Sequence, residues 1–275
     1  MSEKPERYIR YDQTVVFQRT THSLAGEILR EYESTLPFPG AGFMGSLARE
    51  GDFYLAGSPG VKEPMALFSV KDKVTLGLAF IRPDALKLDR QIMEQFLTEF
   101  NIHYGYAASW DYHMMKLYTE FVLRSDLQAY QFQLLDPKDL GQPLQEIRIN
   151  LASPEDVPFM DAQDFLTNSH SYVRRQEAWI ARREDGRPVG IGVLQSHKCS
   201  PDHVDIGMYT VPSFREKGIG RTILIRLMEV ALAAGRTPAA GCYWKNFLSR
   251  RTLESAGMTC IGTIFRFSFN KDRFT

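Results

Sequence analysis

The 275-residue sequence lacks most of the features that mark secreted, membrane-spanning or nucleic-acid-binding proteins. It has three cysteines and no CxxC pair, which argues against a disulfide framework and for reduced thiols. Lys plus Arg and Asp plus Glu each number 33, so no net charge attracts nucleic acids or anionic membranes. No uncharged apolar run is long enough to span a membrane, and the start, MSEKPERYIRYD, lacks the apolar core of a signal peptide. We therefore expect a cytoplasmic protein with no membrane or nucleic-acid partner.

A metal site is not expected either, because the six histidines include no HxH or HxxxH pair. Apolar residues make up 44% of the chain, which is enough for substantial cores. The length exceeds that of most single domains and favours two lobes. The polar segment DPKDLGQPLQE (136–146) contains two prolines and one glycine, so we interpret it as a linker between lobes of residues 1–136 and 147–275.

The second lobe mixes strands and helices. Asp185-Gly186 indicates a hairpin between two of its strands, and Gly235 and Gly257 each follow a segment with helical periodicity. The apolar residues of the last strand alternate with Arg266 and Ser268, which predicts one buried face. The lobe is therefore expected to have an α/β or α+β fold, a mixed sheet flanked by helices. The predicted strands are IRINL, EAWIARR, PVGIGVLQS, 203–211, PAAGCYW and TIFRFSF.

The first lobe has a similar order of predicted elements. When Trp110 is placed over Trp244, the helix and the strand that follow fall in near register, which is consistent with either an internal duplication or a chance likeness of two α/β segments. Asp111 is expected to cap the helix that begins in DYHMMKLYTEFVL. The segment RPDALKLD (82–89) has no glycine and two acids that would repel phosphate, so a structural role is expected for this lobe.

The segment FREKGIGR (214–221) lies between a predicted strand and a predicted helix. The first turn of a helix has unpaired backbone N–H groups and a partial positive charge, and it can therefore bind a phosphate. The segment matches neither the dinucleotide-binding motif GxGxxG nor the nucleotide P-loop. From the spacing alone, a glycine-rich turn with solvated basic residues is an equally good interpretation.

The longer stretch YTVPSFREKGIGRTILIRLMEVAL resembles the acyl-CoA-binding signature of the GNAT superfamily of N-acetyltransferases. Arg215, Gly218 and Gly220 occupy the signature positions [R/Q]-x-x-G-x-[G/A], and Pro212 precedes Arg215 by three residues. A short strand, Asn246, a helix and Gly257 follow in the family's order. The resemblance covers residues 147–275 and implies a GNAT-like fold there, with a degenerate copy of the fold in residues 1–136 if the chain is duplicated.

The resemblance also implies the cofactor-binding residues. Backbone N–H groups of the loop and of the first helical turn would hold the CoA pyrophosphate, the end of the preceding strand would pair with the pantetheine arm, and the residue that begins the next helix would contact the pantetheine or the pyrophosphate. These residues are Glu216, Lys217, Gly218, Ile219, Gly220 and Arg221 for the pyrophosphate, with Arg215 beside them; Met208, Tyr209 and Thr210 for the arm; and Asn246 for the next helix.

The sequence also contains candidate groups for the proton transfers that such a reaction needs. Many GNAT enzymes have a tyrosine seven residues after the asparagine, where this chain has Leu253. Tyr209 is a candidate acid, or else a packed aromatic residue. Asp205 and His203 alternate on the strand before the loop, so they share a face and are candidate bases, or else a structural polar pair.

The resemblance implies an enzyme that transfers an acetyl group from acetyl-CoA to a primary amine by direct attack. Cys242 is expected to be a buried apolar residue rather than an acyl carrier. The alternative is a non-catalytic, regulatory acyl-CoA-binding protein, which Leu253 favours because the usual acid is missing.

Overall fold

The computed structural model describes residues 14–38, 42–59, 63–197 and 200–269, which form two compact units. Of the described residues, unit 1 contains those up to 37, those from 46 to 126 and residues 266–269. Unit 2 contains residues 38–45 and 127–265. No helix in the described part of the chain has both the length and the apolar character needed to cross a membrane.

Unit 1 is built on a mixed sheet in the order β1-β2-β3-β4-β5, in which β4 and β5 are parallel and the other pairs are antiparallel. Asp111 Oδ1 accepts a hydrogen bond from Met114 N, which confirms the predicted cap of α4. The strands are β1 Val16–Thr20, β2 Asp52–Gly57, β3 Ala66–Lys71, β4 Thr75–Ile81 and β5 Tyr104–Ala108; the helices are α1 His22–Thr35, α2 Gly42–Arg49, α3 Asp89–Glu99 and α4 Tyr112–Phe121.

Unit 2 contains a mixed sheet in the order β6-β11-β10-β9-β8-β7, in which β10 and β11 are parallel. The predicted hairpin at Asp185-Gly186 joins β8 to β9. The strands are β6 Val122–Gln133, β7 Ile147–Leu151, β8 Ala178–Arg183, β9 Pro188–Ser196, β10 His203–Thr210, β11 Thr237–Tyr243 and β12 Thr259–Phe269; the helices are α5 Val157–Asp161, α6 Ser169–Arg174, α7 Ile219–Ala233 and α8 Phe247–Ser255. The predicted α/β class with a mixed sheet flanked by helices is confirmed.

Helix α7 packs closely on β9 and β10, and this contact forms the core of unit 2. A Cβ atom on Gly190 would lie 2.6 Å from Ile223 Cδ1, so glycine in β9 lets the helix approach the sheet. Val204 and Ile206 of β10 also belong to this core. Tyr209 instead packs with a second apolar cluster that includes α5 and α6 residues. Alternate residues of β10 therefore face opposite layers.

The final strand of each half of the chain completes the sheet of the other unit. Residues of β6 from Leu127 onward belong to unit 2 and pair with β11. Residues Arg266–Phe269 of β12 belong to unit 1, next to β5, where Phe269 N donates to His103 O at 3.2 Å. The compact units therefore differ from the predicted division into 1–136 and 147–275. Backbone pairing, which the local sequence does not reveal, sets these boundaries.

Segment 136–146 also differs from the predicted linker, because residues on both sides of it belong to unit 2. Apart from a 3₁₀ turn at Pro137–Asp139 it is irregular, yet it is bound to the unit by backbone hydrogen bonds. Gly141 N donates to Ala256 O at 3.1 Å, and Leu144 N donates to Thr222 Oγ1 at 3.1 Å. We call residues 140–144 the strap, since they lie across α7 and the end of α8.

Apart from an additional 3₁₀ turn at Pro154–Asp156, the elements from β1 to β6 and from β7 to β12 follow the same order: strand, two helices, three strands, a 3₁₀ turn, helix, strand, helix, strand. The 3₁₀ turn before α3, Pro83–Leu88, replaces the glycine-containing loop before α7. This order is what a duplication predicts, and a common origin of the two halves stays a prediction.

Candidate functional site

Strands β10 and β11 separate in the middle of the unit 2 sheet. Their parallel pairing extends from His203–Thr237 to Asp205–Ala239 and ends there. The other edge of β10 stays paired with β9 as far as Thr210. Among the described residues, the second half of β10 therefore has one backbone edge without a strand partner, and an extended ligand can pair with such an edge.

The loop after β10 presents a row of backbone donors. Glu216 and Gly218 have φ angles of 61° and 77°, and such left-handed residues turn successive N–H groups toward a common point. The first hydrogen bond of α7 runs from Thr222 N to Gly218 O. The N–H groups of residues 216–221 have no acceptor in the part of the chain that the structure describes. They form a ready-made site for an anion at the positive end of α7.

Gly220 is needed where the helix meets β10. A Cβ atom on Gly220 would lie 3.1 Å from both Met208 Sδ and Thr210 Oγ1. Since contacts this short require the neighbours to shift, only glycine brings the first turn of α7 this close to the end of the strand. The donor row and the unpaired edge of β10 are thus held together.

The basic side chains of the loop are anchored to neighbouring backbone. Arg215 Nε donates to Thr210 O at 3.2 Å, and its guanidinium lies 5.7 Å from the centre of the Tyr209 ring. Arg221 donates to Gln142 O of the strap at 3.3 Å, while its buried Nε has no partner among the described residues. Lys217 Nζ donates to Ser213 O at 3.3 Å. These contacts hold three positive charges around the donor row.

Helix α8 forms the opposite wall of the cleft. Asn246 caps this helix, because its Oδ1 accepts from Ser249 N at 3.0 Å, and its Nδ2 group is left without a partner among the described residues. Leu253, at the position where many GNAT enzymes have tyrosine, is buried in the unit 2 core. The cleft has a volume of about 1020 Å³ and is lined by Leu144, Phe165, Met208, Tyr209, Thr210, Arg215, Glu216, Lys217, Gly218, Gly220, Arg221, Asn246, Leu248, Ser249, Arg251, Thr252 and Ser255.

The cleft brings together nearly all the residues predicted to bind CoA. Ile219, the exception, has its side chain in the core and can contribute through its backbone N–H. Sequence reasoning missed Leu144 and Phe165, which come from the strap and from the segment after α5. It also missed the lining residues of α8, whose apolar Leu248 is 59% exposed. The sequence signal for that wall is weak, because it consists of one apolar residue, Leu248, in the first turn of α8.

The donor set fits a CoA pyrophosphate and pantetheine arm. Unpaired N–H groups at a helix start bind phosphate oxygens, and three cations stand beside them. The unpaired edge of β10 can bind the amides of the arm. In the described residues, no group of three or more His, Cys, Asp or Glu side chains is arranged to hold a metal ion.

Asp205 lies on the sheet face opposite α7. A Cβ atom on Gly42, the first residue of α2, would lie 2.5 Å from Asp205 Oδ2, so glycine allows this carboxylate to sit against the helix start. Asp205 is also the last residue of β10 that pairs with β11. It does not line the cleft, but it lies at the point where the two strands begin to separate.

His203 lies two residues further from the separation. Its Nδ1 is 2.9 Å from Ser200 Oγ and its Nε2 is 3.4 Å from Gln133 Nε2. Burial and the nearby His197 lower the pKa of His203, while Asp202 opposes this shift. The ring is thus held neutral near neutral pH and is absent from the cleft lining.

Tyr209 reaches the cleft from the same face as Asp205. Its ring stacks on Phe165 at 5.4 Å, and its hydroxyl donates to Gln163 Oε1 at 3.4 Å. Gly207 lies between Asp205 and Tyr209, and the one described atom within 4 Å of a Cβ atom added there is Val193 Cβ, at 4.0 Å. The strand therefore leaves open space between the candidate base and the candidate acid.

Cys242 is buried, as expected. Burial raises the pKa of its thiol to about 11, so little thiolate forms near neutral pH. Such a thiol is a poor nucleophile, which agrees with a packing role.

Comparison with known families identifies the chain. The family model "Acetyltransferase (GNAT) domain" matches residues 121–259, just over half of the chain, so the chain belongs to the GNAT acetyltransferase family. The match begins one residue before β6, the strand that completes the unit 2 sheet. The predicted family is confirmed, and acyl transfer is the activity this family defines. No curated protein matches the chain.

Solved structures share this fold over nearly the whole chain. A GNAT-family acetyltransferase from Colwellia psychrerythraea has a TM-score of 0.81 at 16% identity and covers 93% of this chain and 100% of its own. A GCN5-related N-acetyltransferase from Sphaerobacter thermophilus has a TM-score of 0.63 at 15% identity, covering 92% and 95%. A tandem GNAT protein from the clavulanic acid biosynthesis pathway has a TM-score of 0.61 at 10% identity, covering 93% and 98%. At these identities the likeness concerns the fold.

Proposed function

We propose that this chain transfers an acetyl group from acetyl-CoA to a primary amine. The observation that carries the proposal is the row of unpaired N–H groups of residues 216–221, which lies in one cleft with the unpaired edge of β10. In this proposal the row binds the pyrophosphate, Met208–Thr210 pair with the pantetheine arm, and Asn246 contacts the arm through Nδ2. Arg215, Lys217 and Arg221 add positive charge around the phosphates.

The reaction requires two proton transfers. An amine arrives mostly as ammonium and must lose a proton before its lone pair can attack the thioester carbonyl, and the departing thiolate must gain a proton. Asp205 is the proposed base and Tyr209 the proposed acid. They are four residues apart, about 13 Å along the strand, and the open space at Gly207 lies between them. His203 is the weaker candidate for the base, because both of its ring nitrogens already contact Ser200 and Gln133.

Two measurements test the proposal. Calorimetry should detect acetyl-CoA binding, and free thiol release over a panel of primary amines should show turnover. Asp205→Asn, a near-isosteric change, should lower kcat by about 100-fold and remove an ionisation from the pH–rate profile, with unchanged acetyl-CoA affinity. His203→Gln is the matched comparison and should retain most activity. A profile that keeps the same break in Asp205→Asn would rule out Asp205 as the base.

The buried Leu253 favours the alternative, a regulatory protein that binds acyl-CoA without turnover. That protein would bind acetyl-CoA in calorimetry and release no thiol with any amine.

A further inference from the structure

β6 brings two glutamines to the sheet face that carries Asp205. In the register of the sheet, Asp205 pairs with Ala239, and Ala239 pairs with Gln133. The next residue of β11 on this face, Gly241, pairs with Gln131. Laterally paired residues share a face of a sheet. Asp205 and the two glutamines therefore lie on one face of the sheet together with Ala239 and Gly241, and we call these two small residues the floor.

This floor leaves room for a small group beside the separation of β10 and β11. Gly241 is exposed, and a Cβ atom on it would find Gln131 Oε1 as its nearest neighbour, at 3.7 Å. Across the separation, Gly207 also has open space on this side. Three neighbouring positions with small or absent side chains thus lie between the polar groups.

The side-chain carbonyl oxygens of both glutamines have no hydrogen-bond partner in the described part of the chain. Gln131 is only 2% exposed, and its Oε1 is buried with no donor among the described residues. Gln133 Oε1 is also buried without a donor, while its Nε2 contacts His203. A buried carbonyl without a partner destabilises a protein. A ligand that supplies N–H donors would satisfy both oxygens.

We propose that Gln131 and Gln133, together with Asp205, bind the amino group of the acceptor as an ammonium ion. The inference rests on the proposed function and adds the residues that select the acceptor. An ammonium group has three N–H donors and one positive charge, which match two carbonyl oxygens and one carboxylate. After binding, one ammonium proton passes to the Asp205 carboxylate, and the nitrogen lone pair is free to attack.

The same face specifies the class of amine. Among the described residues that β6, β9, β10 and β11 of unit 2 place on this face, none is lysine or arginine. A carboxylate on the carbon that bears the amine would meet no lysine or arginine of these four strands and would be repelled by Asp205. The acceptor is therefore a primary amine without a carboxylate on that carbon, rather than the α-amine of an amino acid.

Matched acceptor pairs and three variants test this inference. Agmatine with arginine, histamine with histidine, and tyramine with tyrosine differ only in the carboxylate, and kcat/KM should be at least about tenfold higher for the amine of each pair. Gln131→Leu and Gln133→Leu should each raise the KM of the amine about tenfold, because each variant loses one hydrogen bond to the charged ammonium group. Both variants should leave the Kd of acetyl-CoA unchanged. Gln128→Leu, on the same strand but on the opposite face, should behave as wild type.

A stability measurement separates this role from a structural one. Gln131→Leu removes a buried carbonyl without a partner, so its Tm should equal or exceed that of wild type. A wild-type KM for the amine in both glutamine variants would overturn the inference. Values of kcat/KM for the amino acids equal to those for the corresponding amines would overturn it too. Either result leaves acetylation itself intact. If acetyl-CoA binds and no amine releases CoA, the proposed function fails as well.

Discussion

Gly220 combines a steric and an electrostatic requirement at the start of α7. Gly220→Ala adds only a Cβ atom, which would lie 3.1 Å from Met208 Sδ and Thr210 Oγ1. Gly220→Asp adds the same atom and a negative charge among the donors that we propose bind phosphate. We expect Gly220→Asp to weaken acetyl-CoA binding by more than about 100-fold and Gly220→Ala by much less. Calorimetry measures both, and circular dichroism checks that both variants fold.

Arg215→Ala is the comparison for this prediction. The residue is exposed, and an exposed cation contributes modestly beside a row of N–H donors, so its loss should cost less affinity than Gly220→Asp. Undiminished affinity in Gly220→Asp would remove the basis for a phosphate site at this turn.

His203 links pH to stability. Burial lowers its pKa in the folded protein below the ordinary value of 6.5, so the unfolded chain takes up a proton at a higher pH than the folded chain does. The stability that His203 contributes is therefore complete above about pH 6.5 and is lost as the pH falls through the lowered pKa. When the melting temperature is measured between about pH 5 and 8, it should fall less steeply with decreasing pH for His203→Gln than for wild type. Parallel curves would show that the ring is not held neutral by the fold.

At the scale of elements, strand β6 determines whether a fragment of the chain that contains unit 2 is expected to stay soluble. Residues 147–275 lack β6, so the edge of β11 would be exposed and open to pairing with other chains. We expect this fragment to aggregate, and a fragment of residues 121–275 to show a larger soluble fraction and to elute as a smaller species in gel filtration. A soluble, monomeric 147–275 fragment that binds acetyl-CoA would show that β6 is dispensable.

The sequence predicted the elements whose signals are local. The glycine loop, the hairpin at Asp185-Gly186 and the caps at Asp111 and Gly257 depend on a few adjacent residues, and the structure has them. The end of α4 was predicted less accurately, because the apolar run Phe121-Val122-Leu123 is compatible with a helix or a strand. In the structure a strand begins at Val122, where pairing with neighbouring strands decides the conformation. The strap and Gln131 could not be predicted, since their positions depend on contacts between residues far apart in the chain.

At the scale of the molecule, the two halves of the chain share an order of helices and strands but differ at the turn that could bind a phosphate. The turn before α7 contains two glycines and three basic residues, whereas the turn before α3 contains Pro83 and Asp84 and no glycine. Proline removes one N–H donor, and aspartate places a negative charge where a phosphate would bind. Because each half also supplies its last strand to the other unit, the first half contributes β6 to the sheet that carries the proposed site.

The stoichiometry of acetyl-CoA binding tests this difference between the halves. We expect one acetyl-CoA per chain, bound in unit 2, because the turn before α3 lacks the row of N–H donors that residues 216–221 provide. Calorimetry should give a single set of sites with a stoichiometry of about one, and Gly220→Asp should abolish all of the signal, since no second site would remain. Asp84→Ala serves as the matched change in unit 1 and should leave affinity and stoichiometry unchanged. A stoichiometry of two in wild type, or binding that persists at one site in Gly220→Asp, would place a functional acetyl-CoA site in unit 1.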